Sequence, residues 1–437
     1  MILDTLFILL FFAFPAAVAM LMRAAGMPVL QLSLPSFVIL ACFAFAYIGL
    51  LPLYLGWDEY RALSGVNNRE LLILVFLGSS WTIFSLALGA ILGRDILGAP
   101  RELRPGLTLT SSQQYRIVLL LVGVSLVLAD YLARVPKIAI LVALGGSITE
   151  AEAVRSKMGN DFGWGYHWYS LAMHHIANLV TFITFANSLL RKSMGSLALF
   201  MCAFGLSGFA AVMAIEKGPF AWILVGLMLV WLLVRNGGSI TMRRILPFML
   251  SVLLGMALIY MAFEGSASLT EGLLSTFSRA FAGSIQPAYH YLQFFPAQHD
   301  FLYGRSFPNP GGLFPWEPYH MTEEVMNWVS PNDSGIVRSA PTVFWAELYA
   351  NFGVAGVVIV PPLVGLALYL LGLFVSRLPN GPVKTGYLVW MLLHYKNLAV
   401  SSFSNFVIDI YFLGVTLVVV LALQPWRTSA GRPKRGR

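Results

Sequence analysis

The sequence predicts an all-α polytopic membrane protein with about eleven transmembrane helices and one large outer loop. Three observations predict it. Hydrophobic residues make up 58% of the chain and charged residues only 11%. Apolar runs recur at the length a bilayer demands, and positive charge alternates between successive connections. A soluble domain carries about a quarter charged residues, so this composition, with a mean hydropathy of +0.75, fits lipid as the solvent. An aromatic content of 14% supplies interfacial belts. No stretch between the apolar runs is rich enough to build a separate core, which reads as one membrane domain.

A helical span needs about 20 mostly apolar residues. Runs at 3–22, 34–55, 71–93, 115–133, 167–190, 195–214, 219–234, 245–263, 342–376, 385–402 and 405–424 meet that length or approach it. The first begins MILDTLFILLFF, with Asp4 where a signal peptide carries Lys or Arg and with no small-residue cleavage site, so it is expected to stay as a span. The ninth is long enough to tilt or to start as a surface helix, and Pro361-Pro362 are expected to kink it. The stretch 385–424 reads as one broken helix or two helices. Lys396, Asn397, Ser401, Ser404 and Asn405 in its middle favour two with a short connection. In chain order the organisation is 1–262 (eight spans, with an outer loop at 134–166), 263–341 (the large outer loop), 342–424 (three spans) and 425–437 (a basic tail).

Orientation follows from the cations. With the N-terminus outside, the inner connections hold Arg23, Arg94, Arg101, Arg104, Arg116, Arg191, Lys192, Arg235, Arg243, Arg244, Arg377 and Lys384. The tail adds Arg427, Arg432, Lys434, Arg435 and Arg437, against Asp95 and Glu102 alone. The outer connections are net acidic. A Lys/Arg bias of this kind sets topology, so the basic balance of the chain is a topogenic signal and calls for no nucleic-acid partner. An odd number of spans leaves the C-terminus inside.

Several chemistries find no motif. There is no Gly-rich phosphate cradle, no HExxH and no GxSxG. Adjacent His174 and His175 point to different helix faces and make a poor metal pair, so neither a metal nor another cofactor is expected. Cys42 and Cys202 both fall inside apolar runs and read as small buried apolar residues rather than a disulfide.

Three outer segments exceed what a connection requires. In 134–166, VPKIAILVAL is too short to span and suits the interface. Gly145-Gly146 break it before an amphipathic piece with Glu150, Glu152, Arg155 and Lys157, for which Ser147 and Thr149 are candidate caps. In 214–220, Lys217 precedes a Gly218-Pro219 turn. It reads as a snorkelling interfacial lysine or as a cation aimed into an outward-facing cavity. The loop 263–341 holds Trp316, Trp328 and many phenylalanines, a composition that argues for order. LLSTFSRAFAGSIQPAYHYLQFF reads as an amphipathic helix carrying Arg279 and Tyr289. GRSFPNPGGLFPWEPYH must be irregular, and MTEEVMNWV reads as one or two helical turns. Such a loop would lid a cavity at the outer surface.

Arginine forks suit phosphate oxygens, which singles out Arg155, Arg279, Arg305 and Arg338. Tyr289, Trp316 and Tyr349 offer faces for sugar rings. Glu347, in FWAELYANFG at the top of an apolar span, must be paired or protonated. It reads as an ion-pair partner for a loop arginine or as a general base. His320 is the other candidate base, because imidazole titrates near neutral pH.

These residues carry a resemblance to the Wzy-type O-antigen, or oligosaccharide repeat-unit, polymerases. It covers most of the chain and rests on GGSITEAEAVRSKMGNDFGWGY, on the EKG turn at 216–218 (Lys217 where relatives more often place Arg), and on SR at 278–279, GRSF at 304–307 and SAPTVFWAELYANFGVAG. The resemblance implies a bacterial inner-membrane glycosyltransferase with a GT-C-like helical fold. Such an enzyme transfers a growing glycan from undecaprenyl pyrophosphate to the non-reducing end of an incoming lipid-linked repeat unit, without a metal. On that reading Arg155, Lys217, Arg279 and Arg305 hold the pyrophosphates and His320 or Glu347 deprotonates the acceptor. Arg338, Tyr289, Trp316 and Tyr349 complete the substrate-binding set, and a chain-length regulator of the Wzz type is an expected partner. An O-antigen ligase shares the chemistry with a different acceptor. A transporter or flippase would instead place charges near the midplane in discontinuous helices, for which Lys396, Asn397, Asp130 and Asp409 are the candidates.

Reporter insertions check the topology. A phosphatase that folds only outside the cytoplasm should be active when inserted near residue 330 and inactive when fused at the tail; the opposite pattern inverts the assignment.

Overall fold

The computed structural model describes residues 2–57, 65–101, 106–146, 148–159, 162, 165–215, 217–237, 247, 250–251, 254–255, 268–309, 312–331, 338–406 and 409–423. Among these there is no strand. The helices are α1 (Ile2–Ala24), α2 (Leu34–Ala46), α3 (Leu50–Leu55), α4 (Arg69–Leu97), α5 (Ser111–Arg134), α6 (Ala139–Leu144), α7 (Ile148–Met158), α8 (Tyr166–Ser170), α9 (Ala177–Arg191), α10 (Met194–Val212) and α11 (Lys217–Arg235). They continue as α12 (Leu269–Phe277), α13 (Gly283–Phe294), α14 (Met321–Val329), α15 (Phe344–Arg377), α16 (Pro382–Tyr395), α17 (Phe403–Phe406) and α18 (Ile410–Leu417). Wider π turns join α8 to α9, join α12 to α13 and extend α18.

Seven helical segments among the described residues are long and apolar enough to cross a membrane: Leu3–Ala24, Leu34–Leu55, Arg69–Leu97, Ser111–Arg134, Met194–Val212, Gly218–Arg235 and Phe344–Arg377. Ile410–Leu421 is a shorter apolar helix. The run expected at 167–190 is helical throughout, but the π turn Leu171–Ile176 divides it. The run expected at 245–263 lies almost entirely outside the described residues, as does the tail. The stretch 385–424 divides as expected. α16 ends at Tyr395, a 3-10 turn covers Lys396–Ala399, and short α17 precedes α18.

The chain forms two compact units that interleave in sequence. One comprises Met1–Glu102, Ser239–Arg377 and Met391–Asp409; the other comprises Leu103–Gly238, Leu378–Trp390 and Ile410–Arg437.

In the first unit α4 and α15 pack backbone against backbone. A methyl group added at Gly89 would lie 1.9 Å from the Pro362 carbonyl oxygen, and one at Gly365 would lie 2.2 Å from the Leu86 carbonyl oxygen. Lipid provides no hydrophobic force between helices, so small residues that permit such approach are what hold them. The expected kink at Pro361-Pro362 is not where α15 breaks. The prolines leave the Val357 and Val358 carbonyls without an intrahelical N–H, and Trp81 of α4 donates its indole N–H to the Val358 oxygen at 3.4 Å. The break falls instead at Gly353, with φ 60° and ψ −148°, a region open essentially to glycine alone. The ring of Phe301 fills the space its side chain would take.

The described part of the large loop is folded onto this unit. Its helical, irregular and short-helix portions fall where expected. The Asn68 N–H at the start of α4 donates to Tyr289 Oη (3.1 Å), Tyr291 Oη to the Ala340 carbonyl (3.0 Å), Thr342 to the Ser284 carbonyl (2.8 Å) and the Trp345 indole to Ser79 (3.2 Å).

In the second unit the segment after α5 forms α6 and α7, separated at Gly145-Gly146 as expected, while the proposed caps Ser147 and Thr149 have side chains outside the described set. Buried Tyr131, Met158, Met173 and Met213 form one apolar cluster there. Tyr131 donates to the Met158 carbonyl at 2.5 Å and the Ile140 N–H to the Met213 carbonyl at 3.0 Å. Cys42 is buried in the first unit and Cys202 is exposed on α10; both are free thiols.

Gly89→Val should destabilise the detergent-solubilised protein by about 1–3 kcal/mol through overpacking, read as a lower Tm. Gly123→Ala on α5, where an added methyl meets nothing within 4 Å, should leave Tm unchanged. Equal melting of both variants would refute the close-packing account.

Candidate functional site

The site grows from the break at Gly353. In the last helical turn before it, the carbonyls of Ala350 and Asn351 receive N–H groups from the loop, Leu302 onto Ala350 and Tyr303 onto Asn351, both at 3.0 Å. The Gly304 N–H follows, donating to Asn351 Oδ1 at 2.8 Å. Two successive left-handed residues, Tyr303 (φ 49°) and Gly304 (φ 95°), shape this turn. Only the second is a residue that adopts such a φ freely, so the turn is held by its bonds to α15.

That turn delivers Ser306 to Glu347. The carboxylate, 2% exposed, accepts from the Ser306 hydroxyl at 2.7 Å and the Ser404 hydroxyl at 2.9 Å on Oε1. Its Oε2 accepts from the Ser404 N–H at 3.0 Å. Asn351, one turn further along α15 and fully buried, donates through Nδ2 to Ser306 Oγ and to the Glu347 carbonyl, each at 2.8 Å. Of the two sequence readings of Glu347, the ion pair is not the arrangement found: among the described residues no arginine is paired with it, and serine donors take that place. Tyr291, Met321, Thr322, Thr342, Val343 and Ser402 close around the carboxylate and leave no room for a water molecule. Burial, with a smaller contribution from the Glu347 charge, pushes the Tyr291 phenol above its ordinary range, so it stays a donor to the Ala340 carbonyl.

The other expected site residues fall in several environments. His320 is exposed at the start of α14; its neighbour Met321 packs beside Glu347 and His320 does not. Arg305 is exposed beside Ser306, with its guanidinium 5.9 Å from the centroid of the Tyr319 ring. Burial raises the Tyr319 phenol, and the Glu324 carboxylate adds to that against Arg305. Trp316 stacks on Phe314 with centroids 4.5 Å apart and planes 9° from parallel. Asn309 braces that pair by donating to the carbonyls of both and accepting the Phe314 N–H. Tyr349 is half-buried, with Phe301 edge-on to its ring. Arg279 is exposed on the π turn Ser278–Ala282.

Two expectations are corrected. Tyr289 is fully buried and its hydroxyl accepts the Asn68 N–H, so it has no face left for a substrate. Arg338 is half-buried and donates to the Ser330 carbonyl at 2.5 Å, closing the segment after α14 rather than presenting its fork outward. Arg155, exposed on α7, and Lys217, at the start of α11, belong to the second unit; the Lys217 side chain lies outside the described set.

The sequence reading missed Ser306, Ser404, Asn351 and Asn309. The signal for Asn351 was its spacing from Glu347, four residues along one helix face. Ser404 was one of several polar residues interrupting an apolar run. A second buried polar group lies in the same unit, where α16 unwinds: His394 Nε2 is 3.6 Å from Asp409 Oδ1, and buried Lys396 donates to Asn397 Oδ1 at 2.6 Å.

This is the architecture of a helical membrane protein with a carboxylate seated where a long loop meets an apolar helix. Comparison with protein-family models, with curated proteins and with solved structures returns no match for the chain.

Removing a buried donor leaves its acceptor unsatisfied, at about 1–3 kcal/mol. Tyr291→Phe should therefore lower the Tm of the solubilised protein, whereas Tyr303→Phe, at an exposed position, should not. An unchanged Tm for Tyr291→Phe would remove Tyr291 from the frame of the site.

Proposed function

We propose that the protein is a lipid-carrier-dependent glycan polymerase of a bacterial inner membrane. It transfers a growing glycan from undecaprenyl pyrophosphate to the non-reducing end of an undecaprenyl-pyrophosphate-linked repeat unit. The observation that carries this reading is the Glu347 seat: a buried carboxylate, held by serine donors rather than by an arginine, beneath a folded loop. A carboxylate so placed is suited to take a proton from a sugar hydroxyl.

In the proposed step the acceptor oxygen bonds to the anomeric carbon of the donor glycan. The bond from that carbon to the pyrophosphate oxygen breaks, the acceptor proton passes to Glu347, and the pyrophosphate leaves with the bonding pair. Arg305 and Arg279, both exposed, supply charge for the diphosphates. The Phe314–Trp316 stack and the half-buried Tyr349 offer apolar faces to sugar rings. Glu347 takes precedence over His320 as the base because directed donors hold its carboxylate in place, whereas His320 is exposed. The proposal includes about eleven spans, a GT-C-like arrangement, a periplasmic N-terminus, a cytoplasmic C-terminus and a chain-length regulator as partner.

A flippase or transporter is the second reading, favoured by one observation. His394, Asp409 and Lys396 gather where α16 unwinds within an apolar stretch, and buried ionisable groups of that kind mark ion and substrate paths.

A deletion strain separates the readings. A polymerase defect leaves acceptor lipid capped with one repeat unit and no long polymer; a ligase defect leaves it uncapped, and a flippase defect leaves lipid-linked units on the cytoplasmic side. In the complemented strain Glu347→Gln should cut polymer synthesis by about 10²–10⁴-fold, and Arg279→Ala should shorten or deplete the polymer. Full-length polymer at normal yield from Glu347→Gln would sink the assignment, and the same from Arg279→Ala would count heavily against it.

A further inference from the structure

The hydrogen bonds around Glu347 have a direction that can be worked out donor by donor. A backbone N–H can only donate, so the Gly304 N–H, 2.8 Å from the Asn351 amide, identifies that end of the amide as oxygen. The other end is therefore NH2. Its two protons go to the Glu347 main-chain carbonyl and to Ser306 Oγ, each at 2.8 Å. The Asn351 amide is then satisfied on both sides.

Ser306 Oγ carries a single proton. Having accepted from Asn351, it donates to Glu347 Oε1, 2.7 Å away. The chain thus runs one way, from Gly304 N–H through Asn351 and Ser306 to the carboxylate. The Ser404 hydroxyl also points at Oε1, at 2.9 Å, while Oε2 receives the Ser404 N–H. A carboxylate oxygen has two lone pairs. Those of Oε1 face two hydroxyl donors, and the Phe403 main chain joins the Ser404 N–H in bonding the carboxylate.

We propose that Asn351 is a positioning residue: acting through Ser306, it holds Glu347 Oε1 as a hydrogen-bond acceptor and so fixes the orientation of the carboxylate that takes the acceptor sugar's proton. This rests on the polymerase reading for the identity of the proton donor, but not for the bonding itself. Replacing the Asn351 NH2 by oxygen, in Asn351→Asp, reverses the chain. Ser306 then has a new acceptor to donate to, and its proton turns away from Glu347. Ser306→Ala removes the last link while keeping the Gly304–Asn351 bond that braces the turn, so it separates positioning from bracing.

The test uses the full-length protein reconstituted in liposomes with lipid-linked repeat units isolated from the host membranes. Infrared difference spectra against Glu347→Gln isolate the Glu347 carboxylate stretching bands. Those bands should move in Asn351→Asp and in Ser306→Ala, and return in Ser306→Thr, which restores the hydroxyl. In the same two variants kcat should fall by about 10-fold with KM little changed, a part of the ~10²–10⁴-fold that a positioned base supplies. Bands that stay in place in folded Ser306→Ala overturn the proposal, as does a loss confined to KM; should Asn351→Asp not fold, Ser306→Ala decides alone. Bands that move while Glu347→Gln still polymerises normally uphold the positioning role and refute the polymerase reading. Fixed bands with a dead Glu347→Gln do the reverse.

Discussion

The site depends on the contact between α4 and α15, where Gly89 and Gly365 let two backbones touch at the Pro362 and Leu86 carbonyls. In lipid, helices are not pressed together by water, and a side chain at either glycine would push the carrier of Glu347 away from its support. The contact also explains why two adjacent prolines do not end α15. Trp81 of α4 answers one of the carbonyls they leave open. Higher up, Trp345 donates to Ser79 of the same helix. Glu347 and Asn351 therefore project from a helix fixed along its flank.

With the helix fixed, its interruption becomes useful. Gly353 ends the regular hydrogen bonding just after Asn351, and a helix end must find partners for its last carbonyls. The loop supplies them from Leu302 and Tyr303. The same few residues thus satisfy a broken helix, stabilise a turn containing a left-handed tyrosine and set Ser306 against the carboxylate. Local backbone requirements and side-chain chemistry are met by one arrangement, as is common where conformational strain is retained.

The helical class and most of the apolar helices were legible in the sequence, because a run of apolar residues long enough for a bilayer admits few other structures. The positions of the helical pieces in the described part of the large loop were legible too. Positions in the loop were less so. Tyr289 and Arg338 carry the residue types expected of a binding surface, and nothing in their local sequence distinguishes a side chain used to tie segments together. The helix break was assigned to Pro361-Pro362 rather than Gly353, because a proline's missing N–H is visible in a sequence and the indole that compensates for it is far away in the chain. Ser306 and Ser404 were hidden for the same reason: each meets Glu347 only through tertiary structure. The division into two compact units was not legible either, since each is assembled from segments that alternate along the chain.

The donors to Glu347 come from residues 306 and 404, and Asn351 lies between them in the chain. A nascent chain is threaded into the membrane from its N-terminus, so Glu347 enters with only its loop-side serine at hand. Its second oxygen acquires a partner only when the segment after α16 has followed, more than fifty residues later. The carboxylate is therefore completed only once Ser404 has followed it. A product arrested before that residue carries an unfinished site, however well its earlier helices have inserted.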